Sequence, residues 1–220
     1  LIMAHGDNDG LRLPPSVAPI QVVIVPIFQE DNQEEVIEYA EEVKDKISDD
    51  FRVKLDEREH RTPGYKFNEW ELKGIPLRLE VGPNEMEDKE VTAARRDNGE
   101  QTSFDLDSTN AEVDSLLDAV QEGLYNELEE YLHENIREAE SKNEILGTIG
   151  KSRGYVKTRW CGDESCEEEI KEEVAAEIVV LPFQEDSEPA SIQDEDNHID
   201  GKCAVCGDSA ERWAYFAKNY

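Results

Sequence analysis

Arg61-Thr-Pro-Gly-Tyr-Lys-Phe-Asn-Glu-Trp-Glu-Leu-Lys-Gly74, continuing Ile75-Pro-Leu-Arg-Leu-Glu-Val-Gly-Pro83, is the stretch that decides the fold. Thr62-Pro63-Gly64 is a turn whose rigid proline leads into a short helix. Phe67 and Trp70, with Leu72, form the apolar side of that helix, and Lys66, Glu69 and Lys73 are expected on its wet side. Gly74 stands where a helix needs a residue tolerant of positive φ, so the helix stops there. Leu77, Leu79 and Val81 then alternate with Arg78 and Glu80, the period of a half-buried strand. The result is a turn–helix–strand unit with charged groups at its rim. A plain structural corner has the same pattern, so the pattern alone leaves its role open.

Charge marks the same region. The chain has 54 acidic and 23 basic residues, a formal charge of −31. Residues 51–100 hold ten basic residues against twelve acids, which makes that window −2 and leaves −29 for the other 170 residues. Acidity is suspended there, which suggests that a large anion docks; a lower density of surface acids on strands would give the same count. The excess of Asp and Glu, with few lysines, suits a cytoplasm loaded with salt, and a halophilic source and a cytoplasmic location are expected. No run approaches the ~18 apolar residues of a membrane span, and no signal peptide is visible. The chain opens Leu1-Ile-Met and is expected to be the back part of something longer.

Working outward, Ile20–Phe28 is a nearly continuous β-branched run, the mark of a central strand buried on both faces. Gln33–Ser48 follows as a helix with Val36, Ile37, Ala40, Val43 and Ile47 on one face. Phe51–Asp56 and Pro76–Gly82 are further strands, and Glu90–Arg95 with Gln101–Leu106 form a hairpin through Asp97-Asn98-Gly99. Asn110–Ser141 is expected as one long helix whose buried side carries Val113, Leu116, Leu117, Val120, Leu124, Leu128, Tyr131 and Leu132. The order β-α-β-α-β-β-β-α predicts an α/β fold, a mixed sheet flanked by helices; a small α+β domain follows it.

Cys161-Gly-Asp-Glu-Ser-Cys166 and Cys203-Ala-Val-Cys206 are two short-spaced pairs, the pattern of a closed tetrahedral zinc site. Gly162 and Gly207 sit where such knuckles need freedom in φ. Disulfides are the competing reading, disfavoured where the cytosol keeps thiols reduced. His198 could be a spare ligand, though an exposed loop histidine fits as well. Between the pairs, Cys166–Val174 is expected as helix, Ala176–Phe183 as strand and Gln184–Gly201 as an acidic loop. Lys151, Arg153, Lys157 and Arg159 form a basic run that either touches nucleic acid or pairs with an acidic protein surface.

Met3–Pro19 joined to Ile20–Phe28, the segment Arg61–Pro83 and the four-cysteine tail together resemble the C-terminal part of the prolyl-tRNA synthetases of archaeal and eukaryotic type. The resemblance covers essentially all 220 residues. It implies the end of a class II catalytic domain at 1–18, an anticodon-binding domain at 19–141, a connector at 142–160 and a zinc-binding domain at 161–220. It also implies a parent enzyme, a homodimer, that joins L-proline to its tRNA in two ATP- and Mg²⁺-dependent steps. The first two class II motifs are missing here, so the segment alone is expected to be inactive. By the resemblance, His5, Gly6, Asp7 and Gly10 wall the ATP and proline pocket. Many relatives place Arg after Pro14-Pro15 and a basic residue after Gly82-Pro83; here these positions are Ser16 and Asn84. The resemblance puts Glu71 on a base-reading position, with Lys73, Arg95 and Arg96 beside it, and turns the terminal Tyr220 toward the active site. The alternatives are a non-catalytic tRNA-binding adaptor built on the same fold and, more weakly, a zinc-ribbon nucleic-acid binder.

Overall fold

The computed structural model describes residues 1–29, 31–151, 154–182 and 199–218. Arg153, His198 and Tyr220 fall outside them, as do all but the last three residues of the expected loop Gln184–Gly201 and the end of the strand expected to reach Phe183. The chain divides into two units, Leu1–Glu129 and Glu130–Tyr220.

The first unit is built on β1 (Val22–Pro26), every residue of which is buried. A five-residue run that apolar belongs in the middle of a sheet covered on both faces. β1 pairs in parallel with β2 (Val53–Leu55) and β3 (Leu77–Val81), and the antiparallel β4 (Glu90–Arg95) and β5 (Gln101–Asp105) extend the sheet to the order β2-β1-β3-β4-β5. This is the expected mixed sheet. Helix α2 (Gln33–Ile47) buries Val36, Tyr39, Ala40, Val43 and Ile47 on one face. The core on that side also takes Leu77, Leu79 and Val81 from β3. A four-residue helix, α1 (Ile2–His5), precedes the sheet, and α4 (Pro83–Asp88) follows β3.

Helix α3 (Pro63–Leu72) starts on the Thr62 side chain, which accepts from the Tyr65 amide, with Pro63 in the first turn. It stops as expected at Gly74, at φ 74°. There the Gly74 amide donates to Glu71 and the Ile75 amide to Trp70, the paired bonds of a Schellman cap. Two side chains depart from the helical period. Lys66, expected on the wet side, is 1% exposed, while Leu72, expected on the apolar side, is 64% exposed. The reversal has a physical cause. Lys66 is drawn inward by the Asp56 carbonyl, to which its Nζ donates at 2.8 Å, and lies 5.7 Å from the centre of the Phe28 ring.

Helix α5 (Thr109–Glu134) is shorter than the expected Asn110–Ser141. The Asn135 side-chain amide donates to the Tyr131 carbonyl, and residues 136–138 become β6 (Ile136–Glu138), paired in parallel with β7 (Tyr155–Trp160). Strand pairing wins there over helix continuation. Tyr131 and Leu132, expected on the buried side of the helix, are exposed.

The second unit is a four-stranded sheet of order β6-β7-β9-β8, with β8 (Ala176–Val180) and β9 (Arg212–Lys218). Residues 142–160, expected as a connector, hold α6 (Lys142–Lys151) and the sheet strand β7. Ile145, Ile149, Val156, Trp160, Ile170 and Phe216 belong to its core, with α7 (Glu164–Val174) supplying Ile170. No helix among the described residues is long and apolar enough to cross a membrane.

Candidate nucleic-acid interface and metal centre

The C-terminal end of α3, the start of β3 and the β4–β5 hairpin enclose a cleft of about 460 Å³. Trp70, Glu71, Arg78, Arg95 and Arg96 line it, together with Asp7 from the glycine turn. Glu71 lies at the rim: its Oε1 accepts from Arg78 Nη1 at 3.0 Å, and 38% of its side chain remains exposed. Arg78 is held from below by the Phe67 ring, 4.0 Å from its guanidinium carbon, and from the side by Glu80 at 2.9 Å. Lys73 pairs with Glu69 at 2.7 Å rather than with Glu71, and lies 4.3 Å from the centre of the Trp70 ring. Glu69 in turn meets Arg58 at 2.7 Å, and the two cations hold its carboxyl below the usual range.

A buried ion cluster fixes Trp70. Its indole Nε1 donates to Asp56 Oδ2 at 2.8 Å, and Arg58 donates to both Asp56 oxygens at 2.8 and 2.7 Å. Burial alone would raise the Asp56 pKa, but the hydrogen bonds from Arg58 and Trp70 outweigh it and hold the carboxyl well below its ordinary value. Burial lowers the pKa of Lys66, opposed by the Asp56 charge.

The glycine turn is fastened to this same helix end. Asp7 accepts from the amides of Asp9 and Gly10 and takes a two-pronged ion pair from Arg96, at 2.7 and 2.9 Å. The Arg96 bonds pull the Asp7 pKa down to about 2. Arg96 Nε also donates to the Glu71 carbonyl at 3.1 Å. Gly10, at φ 137°, lies so close to α3 that an added Cβ would stand 2.5 Å from the Leu72 Cα. An added Cβ at Gly74 would stand 2.7 Å from the Leu11 carbonyl carbon. The Leu11 and Leu13 amides donate to the Leu72 and Gly74 carbonyls, and Arg12 holds Glu127 through two bonds at 2.7 and 2.9 Å.

The structure thus places Asp7, expected at a nucleotide pocket, against Arg96, expected at an anticodon, and Gly10 against Leu72, the residue after Glu71. Gly6 closes the turn in a bridge with Leu11. His5 has a buried Nδ1 with no hydrogen-bond partner among the described residues, and burial lowers its pKa. Arg95 is occupied by Asp97 at 3.0 and 2.7 Å and by the Ala119 carbonyl. Asn84 is exposed in α4, and the Ser16 amide donates to Gln121. Arg78, Asp56 and the inward turn of Lys66 escaped the sequence reading. An acid at the end of one strand and a lysine one turn into the next helix were the available sign.

In the second unit, Cys161 follows β7, Cys166 lies in the first turn of α7, and Cys203 and Cys206 precede β9. The cysteines are free of disulfides, and the four Sγ atoms all lie within 4.8 Å of one another. The Cys161–Cys166 and Cys161–Cys206 separations are 3.6 and 3.7 Å. Tetrahedral thiolates about 2.3 Å from a zinc ion stand about 3.8 Å apart, so the donor set fits. Gly162 and Gly207 take φ 84° and 82°, as the knuckles require. Burial pushes the Cys166 thiol up, while the backbone amides of Cys206 and Val205 outweigh burial at Cys203 and lower it. In the basic run, Lys157 and Arg159 approach Glu138 and Glu140 of their own unit at 3.5 and 3.8 Å, and both lie over Trp213.

The profile of an anticodon binding domain matches residues 21–122, which defines the first unit as a module of the aminoacyl-tRNA synthetase class. A second profile, prolyl-tRNA synthetase, C-terminal, matches residues 143–220. The chain belongs to the prolyl-tRNA synthetase family, as its anticodon-binding and C-terminal domains. The proline–tRNA ligase of Haloarcula marismortui is 53% identical over 221 residues, covering 100% of this chain and 44% of the relative. That of Natranaerobius thermophilus is 38% identical, with 100% and 44% covered. A crystal structure of prolyl-tRNA synthetase from Cryptosporidium parvum, complexed with L-proline and AMP, matches with a TM-score of 0.81 at 34% identity, covering 100% of this chain and 45% of that one. The chain therefore spans less than half the length of these relatives. The halophilic source expected from composition agrees with the archaeal relatives.

Proposed function

We propose that this chain reads the anticodon of proline tRNA for a proline–tRNA ligase. One observation carries the reading: within the matched anticodon-binding domain, the Glu71 carboxylate stands half-exposed at the rim of a cleft with Arg78 beside it. Guanine's Watson–Crick edge offers N1–H and N2–H donors beside the O6 acceptor, and the family resemblance implies two adjacent guanines in the anticodon. A carboxylate fits the donors; of the cations that the resemblance sets beside it for the acceptor side or the phosphates, Lys73 is the more exposed, while Arg95 and Arg96 are already held by Asp97 and Asp7. In the salt-loaded cytoplasm that the composition suggests, the Debye length falls to ~3 Å or less, so phosphate charge contributes weakly. Selection then rests on short hydrogen bonds to bases, each worth ~1–3 kcal/mol of discrimination when bidentate.

The parent enzyme activates L-proline with ATP and Mg²⁺ and transfers it to the tRNA, acting as a homodimer. By the family resemblance, His5, Gly6, Asp7 and Gly10 wall its nucleotide and proline pocket, and the terminal Tyr220 serves the same site. Cys161, Cys166, Cys203 and Cys206 hold one Zn²⁺ as four thiolates. A bound ion there ties the β7–α7 turn to the segment before β9 and leaves no open position for chemistry. The adaptor alternative is disfavoured because the likeness to ligases runs the length of the chain, glycine turn included.

The test is Glu71→Gln in the full-length ligase, with charging of wild-type and anticodon-mutant tRNA measured in high salt. The expected result is lost discrimination with proline activation intact; an unchanged ratio between the two tRNAs retires Glu71 as a base reader.

A further inference from the structure

We infer that Arg96 is a positioning residue, which clamps the glycine turn His5–Leu13 to the end of α3 and so fixes the main chain that presents Glu71. The inference rests on the anticodon reading above and reassigns one of its cations. Three bonds define the clamp: Arg96 Nη1 and Nη2 to the two Asp7 oxygens, and Nε to the Glu71 carbonyl. The Arg96 side chain is only 9% exposed. A phosphate bound at this guanidinium would have to displace a bidentate carboxylate that also caps the amides of Asp9 and Gly10.

The neighbouring contacts show what the clamp holds. The Leu11 and Leu13 amides run onto the Leu72 and Gly74 carbonyls, one residue either side of Lys73. Gly10 is packed against the Leu72 main chain with no room for a side chain. Arg12 anchors the far end of the turn on Glu127. The turn and the last residues of α3 therefore form one piece. The segment expected to wall a nucleotide pocket and the residue expected to read a base are coupled through the Arg96–Asp7 ion pair and the main-chain bonds beside it.

The two roles for Arg96 predict opposite signs. If Arg96 contacts phosphate, removing the Asp7 charge frees it and tightens RNA binding. If it positions, removing Asp7 loosens the turn and weakens binding as Arg96 loss does. The experiment uses this 220-residue chain and an anticodon stem-loop RNA carrying two adjacent guanines, titrated across KCl concentrations. Asp7→Asn and Arg96→Gln are each expected to weaken binding about tenfold, with the double variant no weaker and the salt slope unchanged. Arg96→Lys, which keeps the charge but loses the fork, is expected to behave like Arg96→Gln. Amide exchange at Leu11 and Leu13 should rise in every variant, with or without RNA. Tighter binding by Asp7→Asn, wild-type behaviour of Arg96→Lys, or a salt slope reduced by about one unit in Arg96→Gln overturns the clamp. Unchanged exchange at Leu11 and Leu13 overturns it without reference to RNA. A wild-type chain that fails to prefer the guanine pair instead overturns the anticodon reading, leaving the exchange data to judge the clamp alone.

Discussion

Replacing Asp56 should be the most damaging single substitution at a charged position in the first unit. Its side chain is 1% exposed and serves the Trp70 indole, both arms of Arg58 and, at 4.0 Å, the Lys66 ammonium. Removing one partner of a buried charge cluster costs ~3–5 kcal/mol because the opposite charge stays buried without compensation. Here part of that cost is avoided: Lys66 donates to the Asp56 main-chain carbonyl, which any substitution keeps, and Arg58 can turn toward Glu69 or solvent. We therefore expect Asp56→Ala to cost ~3 kcal/mol, the lower end of that range, and Asp56→Asn ~2 kcal/mol, the scale of one hydrogen bond to a charged group. The assay is urea denaturation followed by circular dichroism and by tryptophan fluorescence, to which Trp70, Trp160 and Trp213 all contribute. A buried cluster is poorly screened, so the loss should be similar in low and high KCl. The pH dependence has a definite sign. The folded Asp56 pKa lies below its ordinary 3.8, so its contribution is fully present above that pH and is lost only as pH falls toward the folded value. A loss under ~1 kcal/mol, or one that disappears in high salt, would refute the assignment of Asp56 as the keystone of the cluster.

Metal analysis of reduced, purified protein should find one zinc per chain, and chelation or Cys203→Ser should unfold the second unit while leaving the first intact, because a structural site contributes its binding energy to folding; well under one zinc per chain sinks the four-thiolate site. In a full-length ligase carrying this chain, deletion of Asn219 and Tyr220 should weaken proline activation while anticodon affinity holds. Unchanged activation kinetics would reduce the tail to packing.

The first unit was largely legible because its signals are local. The run at Val22–Pro26, the alternation of Leu77–Val81 and the glycine at 74 each encode an element within a few residues, and each element formed. The cysteine pairs were legible for the same reason, being two local knuckles. What escaped was non-local. Helical period puts Lys66 in water; the tertiary neighbour Asp56 puts it in the core. The apolar stripe of α5 runs on through Tyr131 and Leu132, yet none of the described residues covers them. β6 and β9 were missed because each is defined by pairing with β7 rather than by its own pattern. At the site, Arg78 is brought across to Glu71 by the turn into β3, while Lys73, nearer in sequence, pairs with Glu69 instead. Likewise nothing in the sequence joins Asp7 to Arg96; only the fold does.

The contact between Gly10 and the Leu72 backbone also bears on how such a chain can change over time. Most tight packing can be relieved by a second substitution that shrinks the neighbour. Here the obstruction is the Cα, carbonyl carbon and carbonyl oxygen of residue 72, which every amino acid carries. No change of side chain at 72 makes room, and the φ of 137° penalises any other residue at position 10 as well. Position 10 thus has no compensatory partner within reach. Lineages that keep this turn docked on this helix are expected to keep a glycine there even where the rest of the sequence drifts toward a different salt and temperature.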